Sequence, residues 1–166
     1  GGTGGELVRQ ALERGHEVTV LVRNPTRLTF DSPRVRVVVG DVLEPATIAI
    51  AMEGVGAVVS ALGHKRWLGP SRILSQGTAN LMTAMKQTGI RRLIVATALG
   101  VGDSRFRMGL YYTLFVIPVI LPFYWFDKGR QERVVRASDL EWTIVRPGEL
   151  TNGPPRGVRK HGSGVG

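Results

Sequence analysis

Short apolar runs alternate with amphipathic segments along most of the chain. Continuous runs such as 35–39 (VRVVV) are typical of parallel strands covered on both faces. Between them, apolar residues recur at helical spacing, as in 71–88, where Ser71 precedes the first turn and Gly89 follows the last. The pattern predicts strands at 17–22, 35–39, 57–62, 93–97 and 142–145, and helices at 7–14, 47–52, 71–88 and 127–137.

Strands and helices alternate along most of the chain, which predicts βαβ units and therefore an α/β fold with a doubly wound, Rossmann-like parallel sheet. A chain of 166 residues is long enough for one such domain. We expect the domain to occupy 1–154 and the Gly/Pro-rich segment 155–166 to be a flexible basic tail.

The amino-acid composition excludes several kinds of functional site. The chain has no cysteine, which excludes disulfide scaffolds, zinc–thiolate sites and cysteine nucleophiles, and its three histidines are too scattered to predict a metal site. The formal charge of +9 favours anionic partners, but the basic residues are dispersed and no nucleic-acid-binding motif accompanies them. We therefore predict no nucleic-acid partner, and a cytoplasmic location.

The segment Gly1, Gly2, Thr3, Gly4 stands before the first predicted helix. Glycines let a backbone approach a pyrophosphate closely, and the helix that follows offers free N–H groups to the phosphates. Glycines also cluster in ordinary loops, but here an apolar strand follows at the spacing expected of a dinucleotide-binding unit. The segment predicts a phosphate-binding turn.

The strand 17–22 ends in the sequence Arg23-Asn24-Pro25-Thr26-Arg27. A site that prefers NAD places an acidic residue here, and none is present. Arg23 and Arg27, with Thr26 between them, can instead bind a 2′-phosphate, so we predict NADP(H) as the cofactor. The alternative is that both arginines are ordinary exposed loop residues.

Two further strand ends complete the predicted cofactor site. Asp41 could accept from the adenine amino group while Val42 covers the ring, although Asp41 could equally cap its own turn. The small residues Ala61, Leu62 and Gly63 would let the cofactor lie across the carboxyl ends of the strands.

Together the strings GHEVTVLVRNPTRL, VVVGDV, SALG, LIVAT and DKGRQERVVRASDLEWTIVRPGEL resemble the NAD(P)H-binding, atypical short-chain dehydrogenases. That group includes flavin reductase/biliverdin-IX-beta reductase and the nitrogen-repressor-like redox sensors. Against its Gly-Ala-Thr-Gly-x-Thr-Gly motif, Gly1, Thr3 and Gly4 match the second glycine, the second threonine and the last glycine. The first glycine and the strand before it have no counterpart, so we expect a fragment that is incomplete at both ends and unstable alone.

The resemblance also implies an active site. Tyr124-x-x-x-Lys128 has the spacing of the short-chain dehydrogenase acid/base pair, although Tyr124 lies in an apolar run and could simply pack. The serine that often follows the fourth strand is replaced by Ala98, which argues against classical carbonyl reduction. The predicted cofactor-binding residues that remain are Leu74, Thr97, Lys128, Pro147 and Glu149.

The segment 108–126 is an apolar run of 19 residues without a formal charge, and it is interrupted by Pro118 and Pro122. It lies between elements of one predicted sheet, so it cannot cross a bilayer once. A lid over the substrate, a subunit contact and a peripheral membrane anchor all remain open.

The predicted function is an NADPH-dependent oxidoreductase that transfers hydride to a flavin, a quinone or a similar planar acceptor. Such an acceptor needs mainly proximity and stacking, because the cofactor carries the chemistry. The alternative is a non-catalytic NADP-binding regulator that senses redox state.

Overall fold

The computed structural model describes residues 1–63, 71–99, 101 and 122–147. The described part contains four α-helices, one 3-10 turn and five strands. In chain order they are α1 (Gly2–Glu13), β1 (Val18–Val22), the 3-10 turn (Pro25–Arg27), β2 (Val35–Val39), α2 (Pro45–Ala51), β3 (Ala57–Ser60), α3 (Ile73–Thr88), β4 (Arg92–Ala96), α4 (Pro122–Arg136) and β5 (Glu141–Val145).

All described strand pairs are parallel, which confirms the α/β alternation expected from the sequence. The strands form two sheets, β1–β2 and β3–β4–β5, and not the one continuous sheet that a doubly wound fold predicts. Within the described residues, β1 and β3 each pair on one side. A groove of about 1120 Å³ runs between them and is lined by residues of both strands.

Helix α1 begins at Gly2, five residues earlier than predicted, so the glycine segment forms the first helical turn and not a turn ahead of the helix. Glycine is a poor helix former, and this is why the pattern suggested a later start. The predicted stop is confirmed, since Gly15 has φ +85°, a left-handed conformation that glycine adopts without strain.

Helix α4 also begins five residues earlier than predicted, at Pro122. Proline is well tolerated in the first turn of a helix, where its missing N–H costs no hydrogen bond. The end of the apolar segment 108–126 is therefore the start of α4, while residues 108–121 lie outside the described part. Among the described helices, none combines the length and the apolar character needed to cross a bilayer.

The core is built on the second sheet. Leu93 and Val95 of β4 are fully buried, and Ile48 of α2, Met85 of α3 and Val135 of α4 join the same cluster. Burial of this kind contributes roughly 1.5–3 kcal/mol per large apolar side chain. The core therefore fixes α3 and α4 against β3–β5, and with them the loops that follow these strands.

Candidate dinucleotide-binding site

The loops that follow β2 and β3 meet on helix α3, at Gly77. A Cβ atom at Gly77 would lie 2.7 Å from Val42 Cγ1 and 3.3 Å from Leu62 Cδ1, so only a residue without a side chain allows this approach. One turn later, Asn80 Nδ2 donates to the Val42 carbonyl at 3.1 Å. These contacts gather the carboxyl ends of β2 and β3 at one edge of the molecule, where α/β folds bind ligands.

Many of the predicted cofactor-binding residues line the groove between β1 and β3. They come from the start of α1 and from the ends of β1, β2 and β3. The members of this set are Gly1, Gly4, Arg23, Arg27, Asp41, Val42, Ala61, Leu62 and Gly63. The same groove continues along both strands to Val18 and Ala57 at their starts, so these residues line one part of a longer surface.

The first turn of α1 forms one end of this groove. Its N-cap is Gly1, no side chain caps it, and the first turn contains no acidic residue. A Cβ atom at Gly1, Gly2 or Gly4 would meet no atom of a described residue within 4 Å, so no contact within the described part explains these glycines. Thr3 lies in the same turn. The positive end of the helix dipole therefore faces open space that an anion can enter.

The loop after β1 brings the two arginines close to the end of β2. Asn24 Oδ1 accepts from the backbone N–H of Thr26 at 2.9 Å and from its hydroxyl at 2.7 Å, which fixes the 3-10 turn between the arginines. Arg23 Nη1 lies 3.9 Å from Asp41 Oδ2, whereas Arg27 makes no ion pair with a described residue. Both guanidinium groups are exposed and can reach a ligand in the groove.

Each carboxylate oxygen of Asp41 makes a different contact. Its Oδ1 accepts from the Leu43 N–H at 3.0 Å, which is the turn-capping interaction that the sequence left open. Its other oxygen faces Arg23. The neighbouring Val42 is buried, and its side chain packs against α3 at Gly77.

Lys128 is buried where the loops after β3 and β4 meet α4, with 2% of its surface exposed. Its ammonium donates to the Ala96 carbonyl at 2.9 Å, and to the Leu62 carbonyl and Gln131 Oε1, both at 3.3 Å. Burial lowers the pKa of Lys128 to about 8, against the opposing effect of the carboxylates of Asp127 and Glu132. All three N–H donors of the ammonium are thus engaged by the protein.

Tyr124 lies one helical turn before Lys128, half-buried. The Lys128 ammonium is 5.8 Å from the centre of the Tyr124 ring, so the lysine meets the face of the ring. Burial raises the pKa of the Tyr124 hydroxyl above its ordinary value of 10.0, which favours the protonated phenol. The pairing of Tyr124 with Lys128 predicted from spacing is therefore a contact in the structure, and its catalytic role stays a prediction.

Sequence reasoning missed a buried polar network along α4. Asp127 accepts from the backbone N–H groups of Leu74 (2.9 Å) and Ser75 (3.2 Å), so it caps α3 from another helix. The side chain of Gln131 donates to Thr78 Oγ1 at 2.8 Å. The periodicity of apolar residues cannot reveal a helix face that is buried and polar. The spacing of the polar residues in the string DKGRQE could have indicated one.

Glu132 extends this network to the ends of β4 and β5. It accepts from the Thr97 hydroxyl at 2.8 Å and from Arg146 through two hydrogen bonds of 2.9 and 2.6 Å. The Thr97 N–H donates to Val145 and the Leu99 N–H to Pro147, which ties the two loops together. Of the predicted residues, Leu74 and Thr97 are buried in this network, Pro147 borders it, and Glu149 lies outside the described residues.

Two curated proteins are similar in sequence to most of this chain. An uncharacterized chloroplastic protein of Arabidopsis thaliana is 30% identical over 172 residues, covering 95% of this chain and 59% of that protein. The NAD(P)H azoreductase of Xenophilus azovorans is 29% identical over 153 residues, covering 89% of this chain and 46% of the azoreductase. The chain thus spans about half the length of these curated relatives.

A solved structure supports the fold. A short-chain dehydrogenase/reductase from Veillonella parvula, determined in complex with NADP, matches with a TM-score of 0.73 at 19% identity, covering 90% of this chain and 66% of that one. The predicted Rossmann-like fold is thereby confirmed. A family model described as NAD(P)H-binding matches residues 1–165. This protein therefore belongs to the NAD(P)H-binding family that the sequence resembles.

Proposed function

We propose that the chain is the cofactor-binding part of an NADPH-dependent oxidoreductase that reduces a planar acceptor. One observation carries the proposal: a single groove is lined by the uncapped start of α1 and by Arg23 and Arg27. A helix N-terminus and two arginines are complementary to the pyrophosphate and to the 2′-phosphate of NADP(H), respectively.

The residues present fit this cofactor. The glycines of α1 leave open space where a pyrophosphate would approach, and Arg27 has no competing acidic partner among the described residues. The Arg23 side chain is 71% exposed, and its guanidinium lies as far as 3.9 Å from the Asp41 carboxylate. The ion pair is therefore weak, and a phosphate can replace Asp41 as the partner of Arg23. Ala61, Leu62 and Gly63 would border the cofactor where it crosses the strand ends.

The bound dihydronicotinamide would supply the hydride, so the protein's part is to position the acceptor and to exclude water. The Thr97 hydroxyl is committed to Glu132, and Ala98 has no hydroxyl to polarise a carbonyl. This favours an acceptor that takes up two electrons by hydride transfer and a proton from solvent, such as a flavin, a quinone or an azo compound. The azoreductase relative is consistent with that class.

The roles of Lys128 and Tyr124 follow from their contacts. Lys128 joins the ends of β3 and β4 through Leu62 and Ala96, next to the loop 61–63. We therefore assign Lys128 to holding the cofactor-binding loop in place, with Tyr124 against it. A direct hydrogen bond from the Lys128 ammonium to the cofactor would require it to release one of its three acceptors.

The test is to replace both arginines in R23A/R27A and to titrate the protein with NADPH and NADH. Each charge-assisted hydrogen bond contributes roughly 1.5–3 kcal/mol, so we expect the preference for NADPH to fall by about tenfold or more. The binding of NADH should change little. R130A/R133A removes the same charge outside the groove and is the matched control. An unchanged preference in R23A/R27A would contradict the proposal.

A redox-sensing regulator is the second candidate, and one observation favours it. The Lys128 ammonium and the Thr97 hydroxyl are both fully used within the protein, which suits binding without turnover. This reading predicts that NADPH binds but that its oxidation stays at background with flavins, quinones and azo dyes. Turnover with any of these acceptors would favour the enzyme.

A further inference from the structure

A second groove lies between α3 and α4, apart from the proposed cofactor groove. It is a shallow, open groove with a volume of about 560 Å³. Arg72 lines it at the start of α3, and Arg130 and Arg133 line it one turn apart on α4. The two grooves share no lining residue.

The three arginines differ from most basic side chains of the described part. Arg36 pairs with Glu53, Lys86 with Asp139 and Arg91 with Glu141. Arg72, Arg130 and Arg133 form no hydrogen bond or ion pair through their side chains with other described residues, and no carboxylate lines their groove.

The acidic residues closest in sequence to Arg130 and Arg133 do not face this groove. Asp127 and Glu132 of the same helix are buried, and they accept from α3 and from the ends of β4 and β5. Helix α4 thus keeps its carboxylates on the inner face and presents guanidinium groups on the outer face. Like charges gathered in one groove repel each other, and an anion bound among them removes that cost.

The chemistry of the lining indicates the class of ligand. Beside the arginines, Ala79 and Ala137 contribute small side chains and Gln76 an amide. Guanidinium groups bind both carboxylate and phosphate oxygens through paired N–H donors. A phosphate monoester has three strong acceptor oxygens and a charge of about −2, so it can neutralise more than one of the arginines at once. We propose that this groove binds a doubly charged phosphate group, presented by a soluble phosphate ester or by a lipid headgroup.

The first arm of the test uses pyrophosphate as the probe and isothermal titration at fixed ionic strength, with NADPH in excess so that the proposed cofactor groove is filled. The wild-type protein should bind pyrophosphate, and R130A/R133A should weaken binding by about tenfold or more. R14A/R92A makes the same change in net charge at exposed arginines outside both grooves and should bind as the wild type does. Circular dichroism of both variants checks that the exposed substitutions leave the fold intact.

The second arm uses vesicles of phosphatidylcholine with and without phosphatidic acid. Co-sedimentation with phosphatidic acid that is lost in R130A/R133A identifies a headgroup, whereas pyrophosphate binding without co-sedimentation identifies a soluble ester. The proposal is overturned if wild type binds neither probe, or if both double variants respond alike.

Discussion

The two sheets border the same groove but are supported differently. In β3–β4–β5, Leu93 and Val95 are fully buried, and a polar network on α4 ties the strand ends together. In β1–β2, Val37 and Val39 are 42% and 58% exposed, and the interactions of the following loop are local and exposed. The second sheet is therefore the better supported wall of the groove, whereas the arginines that we propose to bind phosphate follow the first sheet.

The largest expected difference comes from removing one acidic side chain beside each sheet. In E132A, Arg146 loses two hydrogen bonds and Thr97 loses one inside the protein. Breaking a buried pair costs roughly 3–5 kcal/mol, so we expect a loss of that size in the free energy of unfolding. In E53A, an exposed pair with Arg36 is removed, and the loss should stay below about 1 kcal/mol.

Urea denaturation of both variants measures the difference. Equal losses would show that the two halves are supported alike.

Helix capping provides the second test. D127A removes the buried acceptor of two α3 N–H groups and of the Ser75 hydroxyl, and should cost about 2–3 kcal/mol. N24A removes the exposed cap of the 3-10 turn and should cost about 1 kcal/mol or less. Thermal unfolding followed by circular dichroism ranks the two. A larger effect of N24A would reverse the comparison.

The third prediction concerns pH. The pKa of Lys128 is about 8 in the folded protein and 10.5 is its ordinary value, so between these values the unfolded chain holds the proton more tightly. Stability should therefore rise as pH increases from about 8 to 10, by up to about 2.5 kcal/mol at 1.36 kcal/mol per unit. Urea midpoints across this range measure the rise, and K128M should lose it. If the stability of the wild-type protein did not change between about pH 8 and 10, the lowered pKa of Lys128 would be contradicted.

The smallest effect is expected at Ser60, at the end of β3. Its hydroxyl is buried and has no hydrogen-bond partner in the described part of the chain. S60A should therefore be neutral or stabilise the protein by up to about 1 kcal/mol. S75A, which removes a hydroxyl that donates to Asp127, should destabilise it by about 1 kcal/mol. Differential scanning calorimetry compares the two, and a clear loss in S60A would show that its hydroxyl is satisfied.

The sequence predicted the strands better than the helix starts. Continuous apolar runs located every described strand to within two residues, because short runs rich in β-branched residues favour strands even where, as in β2, part of the run is exposed. The starts of α1 and α4 were placed five residues late, since Gly2 to Gly5 and the apolar residues after Pro122 do not show helical amphipathicity. Local pattern carries no information on such boundaries when tertiary contacts decide them.

The candidate site was predictable where it depends on strand ends. Arg23, Arg27, Asp41 and the loop 61–63 could be named because each follows an apolar run, and the structure places them on one groove. The hydrogen-bond partners of Asp127, Gln131 and Glu132 could not be named, because they lie on α3 and after β4 and β5, far apart in sequence.

The parallel pairing of the strands also bears on how the chain folds. Each described pair joins segments separated by a crossover, from Val18 with Val35 to Arg92 with Glu141. Hairpins, which nucleate many antiparallel sheets, are absent from these pairings, so strand register has to be established by closing long loops. Such a topology folds slowly and leaves strand edges exposed in the meantime, which makes early collapse onto the helices important for avoiding aggregation.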